Sequence, residues 1–515
     1  PAFRAIPLDM KAEADRMFLL GINQLVGHGY PYSPAGAGEP GWAFYAAGAF
    51  NVHNPWFPVM PDVMKYLQRM SWLLRQGKPA NDVAILLPED DAQAAFTPGH
   101  VSVTDEMKRL ITPALMSAIL NAGYNVDYVD AATLLKLGHV PYPVLVLPST
   151  QRIPLEAYKL IRNYASSGGK LIALSPLPSL APGLMQQNTS PQIAALSASL
   201  FRAAGHRGTL VESVDALPAA LHAALPPDLD ARGDLAGLGF IHRKLPGSDI
   251  YFLANTSNQP IHGSIRFRSA HSAVQAWSPD TGAVLASYSL AHGARIPLTL
   301  APYESRVYVL RDHFAESTQA ESAHTAQPIL HTAHVLDLST GWTIRFAGSA
   351  KADALPSLVS WTRLPSRSFY SGRATYTRDL ALEHDPTRGS AFLLDFGTAT
   401  PTSDTRPPGA PGMHALLDPP IGAAAIIFIN GRRAGSLWHP PYQIDIAPLL
   451  YAGSNRIEVR IFNTAINELA GQPPHDYTAL YAKYGKRFAP QNMDNLHPIP
   501  SGLLGPIQLI EQTPE

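Results

Sequence analysis

Between residues 21 and 59 the chain reads GINQLVGHGYPYSPAGAGEPGWAFYAAGAFNVHNPWFPV, a segment dense in aromatic, amide, imidazole, Gly and Pro groups. Such groups suit recognition of a sugar. Flat rings cover the C–H faces of a pyranose, and amides and imidazoles direct hydrogen bonds to hydroxyls. The candidate contacts are His28, Tyr30, Trp42, Tyr45, Asn51, Asn54 and Trp56, with Tyr32 as a further wall. Competing readings come from local chemistry: Asn51 and Asn54 also fit Asx turns, His28 fits a buried, hydrogen-bonded histidine, and one or two rings are expected to anchor the loop. A long loop this rich in aromatic residues is expected to be ordered and functional.

The flanking elements must position that loop. Residues 9–20 place Met10, Ala14, Met17 and Phe18 on one side of a helix, and Gly21 leads into a short apolar strand from Ile22 to Val26. Val63, Tyr66, Leu67, Met70, Leu73 and Leu74 then recur at helical spacing before Gly77. Helix, strand, loop and helix together read as the last unit of a (β/α)8 barrel, whose sites sit at the C-terminal ends of its strands. Residues 1–80 supply one or two of eight such units, so the barrel is expected to be incomplete and the chain N-terminally truncated.

Residues 81–236 change period. DVAILLP, NVDYV, PVLVLPS and KLIAL alternate with helical stretches near 105–121, 131–137 and 155–166, the pattern of a doubly wound parallel sheet, followed by a helical connector from 206 to 236. Neither GxGxxG nor GxxxxGK[ST] occurs in the turns, and Ser149 has no GxSxG elbow, so this domain reads as scaffold. Residues 237–312 hold short alternating runs expected to form a small β-sandwich, residues 313–330 read as a linker, and residues 331–515 read as a jelly-roll sandwich with turns at Asn430-Gly431 and Gly453-Ser454-Asn455.

Composition narrows the functional classes. The chain has 515 residues, too many for one core, with 39 Lys plus Arg against 40 Asp plus Glu. No dense basic block is present, which argues against nucleic acid as a partner. The absence of cysteine removes disulfides, thiolate zinc sites and thiol nucleophiles. No apolar run is long enough for a membrane span, and no signal peptide is expected within the chain.

In their order and motifs these modules resemble glycoside hydrolase family 106, the α-L-rhamnosidases, from the end of the catalytic barrel onward. The resemblance rests on HGYPYSP with PGWAFYAAGAFNVHNPWF, on YLQRMSWLLRQG followed by DVAILLP, and on SLWHPPYQIDIAPLL, NRIEVRIFNTAINELAG and PSGLLGPIQL. The α/β domain resembles a glutamine-amidotransferase-like module, which without cysteine serves as scaffold, and the C-terminal part resembles galactose-binding-like domains, with the run from Trp438 to Tyr442 read as core. The resemblance implies hydrolysis of terminal α-L-rhamnosides in oligo- or polysaccharides, with inversion, in the periplasm or outside the cell.

Inversion needs one carboxylic acid and one carboxylate, roughly 6.5–9.5 Å apart. Both are expected upstream of Pro1. Of the carboxylates in the barrel portion, residues 1–80, Asp9, Glu13 and Asp15 read as solvated helix positions and Asp62 as a helix cap, which leaves Glu39 as the only loop candidate there, in a setting that reads as a turn. No cofactor is expected; calcium is compatible with the loop's carbonyls and carboxylates, although no DxDxDG-type run names its ligands. The alternatives carried forward are a β-galactosidase-like glycosidase and a non-catalytic carbohydrate-binding fragment.

Overall fold

The computed structural model describes residues 2–42, 48–290, 293–314, 330–405, 414–473, 478–485 and 496–514. Two helices open it, α1 (Pro7–Leu19) and α2 (Met60–Leu74), the first started by a proline at its N1 position and the second carrying Pro61 in its first turn. Their apolar faces meet at Ala14, Phe18, Val63, Tyr66, Met70 and Leu74. That seam is wedged between two β structures. Ile250, Phe252 and Val307 cover it from one side, and Ala424, Ile426, Trp438 and Phe462 from the other.

The expected strand from Ile22 to Val26 does not form; these residues are coil, and Ile22 and Val26 are exposed. A strand persists only where a neighbour takes up its backbone N–H and C=O groups. Among the described residues none lies alongside.

The next unit is a five-stranded parallel sheet of β1 (Val83–Leu86), β2 (Val126–Val129), β3 (Val144–Leu147), β4 (Lys170–Leu174) and β5 (Gly208–Val211), in the order β2-β1-β3-β4-β5. Alternate residues of its central strands enter two different cores. Ala84, Leu86, Leu145 and Leu147 point to one helical layer, and Val83, Ile85, Val144 and Val146 to the other. This two-sided burial explains why the strands read as continuous apolar runs. The helix expected near 105–121 is two helices, Val103–Leu110 and Pro113–Asn121, divided where Pro113 starts the second. The segment 206–236 is not simply a helical connector: it holds β5, the helix Leu217–Ala224 and the strand Leu229–Asp234, the last of which pairs with Ile261–Phe267. Short alternating runs in an Ala- and Leu-rich context mask such strands.

A small sandwich follows. Its larger sheet orders Lys78–Pro79, Leu238–Leu245, Ser248–Asn255, Ser305–Arg311, Ala273–Trp277 and Val284–Ser289, and its smaller one orders Ile296–Leu300, Ile261–Phe267 and Leu229–Asp234. Tyr251, Leu253, Ile265 and Leu298 fill the space between them. The C-terminal sandwich faces a four-stranded sheet against a six-stranded one around Trp342, Trp361, Tyr376, Ile427 and Val459. Asn430 and Gly431 take positive φ angles and close the hairpin between Ala424–Ile429 and Arg432–Leu437. Gly453-Ser454-Asn455, expected as a turn, instead begins the strand Gly453–Phe462; Asn455 is fully buried and receives the Asn430 amide at 2.8 Å. Trp438 and Tyr442 are core residues. Most of the expected linker, and Tyr45, lie outside the described residues.

Candidate functional site

Three stretches of the loop are tied together by its own polar groups. Asn51 Nδ2 donates to the Pro31 carbonyl at 3.2 Å, the Trp42 amide donates to Ser33 Oγ at 3.0 Å, and the His53 amide donates to Asn51 Oδ1 at 3.2 Å. Residues 30–33, 39–42 and 51–54 are thereby brought side by side. At their junction His53 Nδ1 meets Glu39 Oε2 at 2.9 Å. Gly41 is needed beside it, because with φ of +82° a side chain there would be strained and its Cβ would strike Ser33 Oγ. The loop is docked from below by Asn54, whose amide donates to Ala49 O at 3.0 Å and accepts from the Ala465 amide at 3.1 Å. Phe3, Ala49 and Ala465 close a small apolar contact there.

Exposure then sorts the expected contacts. His28 is exposed rather than a buried histidine, and Tyr30, Tyr32 and Trp42 are 65%, 77% and 58% exposed. Large rings left open to solvent on a braced loop are available to a ligand. Tyr30 is steadied edge-on by Phe57. Trp56, in contrast, is fully buried and donates its indole N–H to Ala5 O at 2.9 Å, so it holds the loop's exit instead of facing a sugar. Asn51 and Asn54 are likewise buried, their amides engaged with backbone, which makes them braces and not hydroxyl ligands.

The carboxylates divide the same way. Asp9 and Asp15, expected as solvated helix positions, are both buried. Asp9 accepts from the Ile6 amide, His414 and the Ala415 amide, which stitches α1 to the C-terminal domain. Asp15 takes Lys11 Nζ at 2.7 Å and the Tyr66 hydroxyl, and Lys11 also donates to Tyr303 O and Ser305 Oγ. Burial first, and then the facing Asp15 charge, hold the Tyr66 phenol well above its ordinary value, so it remains a donor. Asp62 is no cap: its carboxylate pairs with Arg433 and accepts from Ser436 Oγ at 2.8 Å. Glu39 stays two-thirds exposed at its side chain.

Glu468, in the short helix Ile466–Ala470, escaped sequence reasoning. Partial burial and then the Glu39 charge raise its carboxyl above the ordinary value, so a carboxylate from near the far end of the chain feels the charge on the loop. His53 also lacked a clear signal beyond its place between two asparagines. In the α/β unit, Ser149 Oγ donates to Ser175 O at 2.8 Å. Among the described residues no group of three or more His, Asp or Glu side chains is arranged for a metal, and no helix is long and apolar enough to cross a membrane.

The chain thus joins a parallel α/β unit to β-sandwiches and carries a braced aromatic loop with an exposed carboxylate, and the comparison with known families assigns it to the glycoside hydrolases. The family model described as alpha-L-rhamnosidase matches residues 1–289, more than half of the 515 residues, and the chain belongs to glycoside hydrolase family 106. A Formosa agariphila protein named "Putative beta-glucuronidase" is 26% identical over 334 residues, which are 62% of this chain and 26% of that protein. The fold is that of the rhamnosidase from Novosphingobium sp. PP1Y, with a TM-score of 0.71 and 22% identity across 99% of this chain and 46% of that one. The chain thus spans about a quarter of the curated relative's length and under half of the solved structure's.

Proposed function

We propose that this chain supplies part of the substrate site of an inverting α-L-rhamnosidase acting on rhamnose-containing oligo- or polysaccharides. The single observation that carries this reading is the exposed Glu39, held by His53 on the same braced loop that leaves Tyr30, Tyr32 and Trp42 open to solvent. An exposed carboxylate touching a histidine fits the base that activates water, whereas the acid needs apolar burial to keep its proton. We assign Glu39 to the base and His53 to its orientation. Within the proposal, the parallel unit is an amidotransferase-like scaffold and the C-terminal sandwich a galactose-binding-like domain that lends Glu468 to the rim.

The name of the curated relative raises a second reading, a glucuronidase. A uronate substrate calls for Arg or Lys against its carboxylate. Residues 17–64 contain neither, and Glu39 and Glu468 add negative charge there, so the loop favours a neutral sugar. The test compares kcat/KM of the active protein carrying this chain on an aryl α-L-rhamnoside and an aryl β-D-glucuronide. Preference for the rhamnoside supports the proposal, and preference for the glucuronide overturns it.

A further inference from the structure

The parallel sheet has a second surface feature, at the edge opposite the one where α/β domains hold their ligands. Ligands in such sheets bind beyond the carboxyl ends of the strands. Here an open groove of about 870 Å³ lies at the amino ends, between the segments leading into β3 and β4 and the helix α3 (Leu155–Ser166). A second cavity of about 290 Å³ lies between the same helix and the helix Ser190–Phe201. Lys159 and Arg162 line both.

Charge in the groove is one-sided. Lys159, Arg162 and Lys170 face a single carboxylate, Glu156, which contacts Lys159 at 2.7 Å. Arg162 is steadied by Asn163 Oδ1, at 3.2 and 2.9 Å from two of its nitrogens. The groove also has a fixed aromatic wall. The Tyr164 hydroxyl donates to Pro143 O at 2.7 Å and lies 3.1 Å from Lys170 O, and its ring rests on Gly169, where any Cβ would come within 2.2 Å of it. A flat ring held in place beside cations is what a sugar ring bearing an anionic group requires: stacking for the ring and ion pairing for the charge.

We propose that this groove is an accessory binding site for the acidic stretches, uronate-bearing in particular, of the polysaccharide whose rhamnose the loop addresses. The inference rests on the polysaccharide reading above. It divides recognition between two surfaces: the loop, without Lys or Arg, takes the neutral terminal sugar, and the groove on the scaffold domain takes the charged chain.

Affinity gel electrophoresis of the full chain in polygalacturonate, in neutral dextran and in DNA tests it, beside the Lys159→Ala/Arg162→Ala double variant and a Tyr164→Leu variant. Retardation by polygalacturonate alone is expected, weakened about tenfold or more by the double variant and also by Tyr164→Leu, with circular dichroism melts close to wild type. Tyr164→Phe, which keeps the ring, should bind nearly as wild type. Equal retardation of wild type and double variant, equal retardation by DNA, or no retardation of wild type would overturn the proposal. Because the readout is binding and not turnover, loss of the rhamnosidase reading through the aryl-glycoside comparison would be seen separately.

Discussion

Helix α1 and the loop that follows it carry the same kinds of side chain to opposite ends. In α1, Asp9 and Asp15 are buried and each is matched by donors from distant parts of the chain. In the loop, Glu39 meets His53 and stays open to water. The aromatic residues repeat the contrast: Trp56 is sealed beneath the loop and Trp42 stands out from it. Carboxylates and rings whose hydrogen bonds are completed inside the fold hold it together, and those left open to water at a braced surface are the ones we propose to meet a substrate. Residue type alone did not separate the two sets.

The largest expected effect breaks the contrast from the loop side. In the active protein carrying this chain, Glu39→Gln should lower kcat on an aryl α-L-rhamnoside by about 10²–10⁴-fold with an unchanged thermal melt, as removal of a general base does. Asp15→Asn should do the reverse. It leaves the buried Lys11 charge without its counter-ion, at a cost of about 3–5 kcal/mol in denaturant unfolding. A Glu39 variant that melts early, or an Asp15 variant of native stability, would erase the distinction between the regions.

Smaller effects sharpen it. Trp42→Ala should reduce kcat/KM by roughly tenfold through lost stacking, on the order of 1 kcal/mol, and leave the melt unaltered. A parallel loss of stability and activity would move Trp42 into the bracing set with Trp56. The smallest expected effect concerns pH. Burial works against a charged His242, yet the hydrogen bond to Asp228 at 3.0 Å and the contact with Asp249 at 3.3 Å outweigh it and raise the imidazole above 6.5. Burial likewise opposes the Asp249 charge, and His242 and Ser269 overcome it to hold that carboxyl below 3.8. The histidine's contribution is complete below about 6.5 and is lost as pH rises through its raised value; that of Asp249 is complete above about 3.8 and is lost as pH falls through its lowered value. The melting temperature should therefore decline above neutral pH in wild type, and His242→Gln should flatten that decline; an equal slope in both would assign it elsewhere.

Much of the framework was legible because periodicity reports burial. Continuous apolar runs marked β1, β3 and β4, and the spacing of Val63, Tyr66, Met70 and Leu74 marked α2. The stretch from Ile22 to Val26 misled for the same reason, since an apolar run says nothing about whether a neighbouring strand exists to pair with it. In the loop, composition marked a surface rich in rings and amides, but the division between Trp42 and Trp56, or between Asn51 and its neighbour His53, depends on contacts such as Trp56 with Ala5 that local sequence does not encode. Glu468 was invisible for a plainer reason: its relation to Glu39 exists only once the C-terminal domain packs on the loop.

In the proposed site the reacting carboxylate is Glu39, acting as the base. Chemical rescue measures this. In a Glu39→Ala variant of the active protein, azide can enter the space left by the carboxylate and attack the anomeric carbon in place of activated water. With an aryl α-L-rhamnoside, added azide should restore a large part of the lost rate and yield a rhamnosyl azide of inverted, β configuration, while the variant melts as wild type does. A variant that azide fails to restore, with no glycosyl azide formed, would show that Glu39 is not the reacting carboxylate.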